Sequence, residues 1–95
     1  MTPAGSAEAP RKNPHAAARV YDGEAFIVVP QSSQYKILNG TGSRIWALID
    51  GQRSSSDIAR VIAEEYEVSL EDAMADVGGF LQDLKEHGML AQGDL

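Results

Sequence analysis

An α+β domain, with a three-stranded antiparallel sheet followed by three helices, is the fold class predicted by three features of this 95-residue chain. Asp22-Gly23 stands between two β-prone runs, Arg19-Val20-Tyr21 and Glu24 to Val29. Two Ser-x-x-Asp quartets, Ser54 to Asp57 and Ser69 to Asp72, each open a run whose apolar residues recur at helical spacing. Between strands and quartets, Leu38 to Arg53 holds a strand end, a capped helix and a helix stop.

The first two strands pair through Asp22-Gly23, because that dipeptide supplies the positive φ angles of a tight hairpin turn. Pro30-Gln31-Ser32-Ser33 turns the chain, and Gln34 to Leu38 alternates as a third strand. The first helix is expected from Thr41 to Asp50, capped by Asn39 or Thr41 and stopped by Gly51, with Ile45, Leu48 and Ile49 on its apolar face and Trp46 alongside. Ile58, Val61 and Ile62 mark a second helix through Tyr66. Leu70, Met74, Val77, Leu81 and Leu84 form the stripe of a third, which Gly88 ends and from which Met89-Leu90-Ala91 leads away. Each element alone exposes an apolar face, so the sheet is expected to close over the helices and bury Phe26, Val28, Ile45, Ile49, Ile58, Ile62, Leu81 and Leu84. The arrangement is of the winged helix-turn-helix kind, one domain over residues 16–92 behind a flexible tail at 1–15.

Composition narrows the function. The chain has no cysteine and only His15 and His87, which argues against thiolate chemistry and cysteine- or histidine-rich metal sites. No apolar run approaches the ~20 residues of a membrane-spanning helix, and the N-terminus lacks the apolar block of a secretory signal, so a cytoplasmic location without membrane contact is expected. Net charge is −6, and Glu64, Glu65, Glu67, Glu71, Asp72 and Asp76 fall in thirteen residues without a Lys or Arg. Such a surface repels phosphate.

No nucleophile with a base, carboxylate pair or metal loop is recognisable, so no catalytic residue, metal or cofactor is assigned. Asn39-Gly40-Thr41-Gly42 precedes a helix, yet no Lys follows at the Walker position. A DNA-binding winged helix regulator is the rival suggested by fold. Against it, helix three carries Glu71, Asp72, Asp76, Asp83 and Glu86 beside one Lys85, so nucleic acid is not an expected partner. A structural module whose edge strand pairs with its own copy is a third possibility. If strand three lies at the sheet edge, an extended peptide is able to add there, against apolar walls from Tyr35, Ile37, Val77, Phe80, Leu81 and Leu84.

The spacing Leu38-Asn39-x-Thr41-Gly42-x-x-Ile45-Trp46-x-Leu48-Ile49-Asp50-Gly51-x-Arg53, with Asp57-Ile58 and Asp76-Val77-x-x-Phe80-Leu81-x-x-Leu84, resembles the PqqD family over residues 19–91. The resemblance implies a RiPP recognition element, a non-catalytic peptide-binding adaptor. Such elements bind the leader of a ribosomally made precursor and present its core to a separate maturation enzyme, which would be a radical SAM enzyme, a cyclase or a leader protease. Carried over, the leader contacts would be Gln34, Tyr35, Lys36, Ile37 and Leu38 on the strand and Asp76, Val77, Phe80, Leu81 and Leu84 on the helix. Lys36 and Lys85 would pair with acidic leader residues. Gly78-Gly79 inside helix three would either admit a peptide backbone or permit tight packing on helix one.

Overall fold

The computed structural model describes residues 9–38 and 40–91. Three strands, β1 (Ala17–Tyr21), β2 (Glu24–Val29) and β3 (Gln34–Leu38), precede three helices, α1 (Gly40–Leu48), α2 (Ser55–Tyr66) and α3 (Leu70–Glu86). The sheet is antiparallel in the order β1-β2-β3, as the sequence predicts. Asp22 and Gly23 have φ of 50° and 77°, the doubly positive pair of a primed hairpin turn. A single 3-10 turn, Pro30–Ser32, and left-handed Ser33 then reverse the chain into β3.

The phase of β2 differs from expectation. Ala25, Ile27 and Val29 are buried, whereas Phe26 and Val28 stand on the outer face, 37% and 41% exposed. Glu-Ala-Phe-Ile-Val-Val is apolar in both phases, so alternation leaves the inward face undecided. Pairing decides it: Ala25 lies opposite Leu38 and Ile27 opposite Lys36, on the side over which α1 folds back. Phe26 and Val28 are instead opposite Ile37 and Tyr35.

Thr41 lies inside α1 and so is not its cap; Asn39, the other expected cap, falls outside the described residues. Ser43 Oγ donates to the Leu38 carbonyl at 3.1 Å, tying the first turn of α1 to the end of β3. The helix stops at Leu48, two residues earlier than expected. There Arg53 Nη1 donates to the Leu48 carbonyl at 3.0 Å, and Asp50 Oδ1 accepts from the amides of Gln52 and Arg53. These bonds fix the loop to α2, whose capping box is complete: Ser54 Oγ accepts from the Asp57 amide and Asp57 Oδ2 from the Ser54 amide. Ser69 repeats the hydroxyl half of the device on the Asp72 amide.

On α3 the buried stripe is Ala73, Val77, Leu81 and Leu84, while Leu70 and Met74 are exposed. Ala73 takes the place expected of its larger neighbours, which lie on the outer side of the first turn. At the other end the Gly88 amide donates to the Lys85 carbonyl and the Met89 amide to the Leu84 carbonyl, the pairing of a Schellman stop. Met89 is thereby turned back into the core against Leu84, and both are fully buried.

Residues 9–15, expected as part of a flexible tail, are held against this end of the fold. The Pro10 carbonyl accepts from the Gly51 amide, the Arg11 carbonyl from the Ala91 amide, and Asn13 donates through its amide to Met89 O and through Nδ2 to Gly88 O. Lys12 pairs with Leu90 as an isolated bridge, and its ammonium lies 4.8 Å from the Trp46 ring centroid. Burial lowers the Lys12 pKa, which the Asp50 charge partly offsets. Composition hides this segment because its contacts are mostly backbone bonds, which any sequence makes. No helix among the described residues is long and apolar enough to cross a membrane.

Candidate peptide-binding site

Because β3 pairs only with β2 among the described residues, its outer edge carries unpaired backbone N–H and C=O groups. Alternation splits its side chains. Tyr35 and Ile37 join Val28 and Phe26 on the outer face, 71% and 54% exposed, whereas Gln34, Lys36 and Leu38 turn toward the helices. Leu38 is buried, so its side chain belongs to the core and its backbone alone is available at the edge.

Lys36 spans from β3 to α3, where Nζ meets Asp83 Oδ2 at 2.5 Å. The hydrogen bond from Lys36, reinforced by its charge and by His87, holds the Asp83 carboxyl below the usual carboxylate range. His87 Nδ1 lies 3.5 Å from Asp83 Oδ1. Lys36, expected to pair with an acidic leader residue, thus has an acidic partner within the protein. Lys85 lies roughly 200° around the helix from Asp83 at 100° per residue, on the flank away from β3.

The contact of Asp83 with Lys36 identifies which flank of α3 faces the strand. Asp76, Gly79 and Phe80 share that flank with Asp83 at i, i+3, i+4 and i+7. Phe80 is half-buried and fills the space above Gly42 of α1; a β-carbon at Gly42 would lie 3.2 Å from its Cε1. Around Gly79 nothing lies within 4 Å of where a β-carbon would stand, and the same is true of Gly78 on the opposite flank. Neither glycine packs on α1, and α3 runs unbroken through both. The flank of α3 that faces the β3 edge thus presents Asp76, Gly79, Phe80 and, through the pair with Lys36, Asp83. Val77 and Leu84, expected as groove walls, are fully buried in the core, and Leu81 is nearly so. Sequence reasoning passed over Asp83 as one acid among many; its place seven residues after Asp76 and three after Phe80 was the available signal.

Residues 24–90 match the family model of coenzyme PQQ synthesis protein D, PqqD. The chain belongs to the PqqD family. Two solved structures resemble this PqqD-family chain over nearly their whole length. TbiB1 in complex with the TbiA(beta) leader peptide is 26% identical, with a TM-score of 0.80 over 90% of this chain and 98% of that one. Lasso peptide synthetase B1 complexed with the leader peptide is 28% identical, with a TM-score of 0.79 over 88% of this chain and 99% of that one. No curated protein matches in sequence.

Proposed function

We propose that this PqqD-family chain is a non-catalytic adaptor that takes the leader of a ribosomally made precursor peptide as a fourth strand beside β3. It then presents the precursor to a separate maturation enzyme of the radical SAM, cyclase or leader protease kind. The observation that supports this reading is the unpaired β3 edge beside the open flank of α3, in a chain that resembles two solved leader-peptide complexes. The opposite edge, β1, is exposed along its whole length, so a peptide added there would gain backbone bonds without a buried wall beside it. Beside β3 both are offered: backbone pairing for affinity, at about 0.5–1.5 kcal/mol net per hydrogen bond, and the groove for selection of side chains.

The residues that carry the reading are the backbone of Gln34 to Leu38, the side chains of Tyr35 and Ile37, and Asp76, Gly79 and Phe80 on α3. DNA is disfavoured by charge, since α3 exposes Glu71, Asp72, Asp76 and Glu86 against Lys85. The test is a set of synthetic leader peptides, each N-methylated at one backbone nitrogen. Strand addition requires that affinity fall at alternate positions, because only every second N–H of an added strand faces the sheet. A uniform response along the peptide rules strand addition out.

A further inference from the structure

The groove does not end at Lys36. Its two walls continue, by covalent connection, into a pocket of about 340 Å³. On one side Gln31 and Ser32 belong to the turn that leads directly into β3; on the other, Gly88 and Leu90 follow directly from α3. Asn13 and His15 of the N-terminal segment and Val29, the β2 partner of Gln34, also line it.

We infer that this pocket is a second subsite for the leader, receiving one large uncharged side chain, aliphatic or aromatic, from the residues just beyond the segment that pairs with β3. The inference rests on the β3-edge reading and extends it. Three features select that ligand. The volume falls at the lower end of the range for small-ligand sites, room for one bulky side chain rather than a folded element. Val29, Leu90, Pro14 and Ala91 provide apolar lining. Among the described residues of the lining, His15 is the one titratable group and there is no acid, lysine or arginine to pair with a charged ligand group. The turn at Gln31 and Ser32 that borders the pocket leads into the Gln34 end of β3, the end past which an added strand would extend.

The location also gives the N-terminal segment a place in recognition. Asn13 is positioned by its bonds to Gly88 and Met89, and the Asn13 side chain accepts from the His15 amide at 2.8 Å. One wall of the pocket therefore exists because Arg11 and Asn13 are bound to residues 88–91, which follow α3.

The experiment uses three synthetic peptides of one leader sequence chosen for binding to this chain: the β3-pairing segment alone, and that segment lengthened by about five residues at either end. Lengthening past Gln34 should tighten binding by roughly tenfold, the scale expected for burying part of one large apolar side chain, while lengthening past Leu38 should not. Ser32→Trp or Gln31→Trp, both at exposed turn positions, fills the opening and should remove the gain while leaving affinity for the short peptide unchanged. That unchanged affinity also shows that each variant is folded. Equal affinity of wild type for the short and lengthened peptides overturns the subsite and leaves strand addition standing, as does a gain that survives both substitutions. Failure of the short peptide to bind wild type removes the β3-edge reading and the subsite with it.

Discussion

Lys36 of β3 and Asp83 of α3 form the ion pair that joins sheet to helix across the proposed leader groove. The pair is partly solvent-exposed, so its contribution to stability is small, about 0.2–1 kcal/mol at most. Its larger consequence is to cancel a positive charge where a peptide would lie, leaving Asp76 to set the sign of that flank.

Asp83→Asn should release Lys36. A leader with an acidic residue facing Lys36 should then bind roughly two- to fivefold tighter, the range of an exposed ion pair, and titration of wild type and variant with such a peptide checks it.

The same pair has a pH signature. Asp83 titrates below its unfolded value of 3.8 in the folded protein, so its stabilisation is present above that value and is lost as pH falls through the lower, folded pKa. Asp50, Asp57 and Glu65 are also shifted down, so acid destabilises the whole domain. Thermal melts below about pH 4 should show wild type losing stability more steeply than Asp83→Asn.

Gly78 and Gly79 separate the two flanks of α3. Alanine at either should raise stability by about 0.5–1 kcal/mol, since both are exposed in a helix interior and a β-carbon meets nothing. Leucine should distinguish them: Gly79→Leu should weaken leader binding, and Gly78→Leu should leave it unchanged. Equal effects in calorimetric titration would remove the distinction between the flanks.

Leu84→Ala tests core against groove. Leu84 is fully buried, so truncation should cost about 2–5 kcal/mol in denaturant unfolding. At a temperature where the variant stays folded, its leader affinity should match wild type, whereas Asp76→Lys should change affinity without a comparable loss of stability.

Removing residues 1–13 should lower stability by about 1–3 kcal/mol, through loss of the bonds to Gly51, Gly88, Met89 and Ala91, partly offset by chain entropy. Residues 24–90, the span of the family match, should therefore form a weaker domain than the chain with its N-terminal segment.

The elements were legible where local chemistry determines them. Asp22-Gly23 demands a tight turn, Ser54 and Ser69 place two helix starts, and Gly88 ends α3, all through backbone groups satisfied within a few residues. The motif spacing from Leu38 to Leu84 sufficed for the family, because it records those caps and core positions together. What the chain alone left open was each choice between two apolar faces. Phe26 and Val28 compete with Ala25, Ile27 and Val29 on equal hydropathy, and only the register against β3 and the cover of α1 send one set outward. Val77 and Leu84 likewise have the character of groove walls until the packed helices enclose them. Lys36 and Asp83, 47 positions apart, and residues 10–13 beside 88–91 meet only in the folded chain. Contacts between residues this distant leave no periodic trace, since each depends on where whole elements are set by the core and not on the residues near it in sequence.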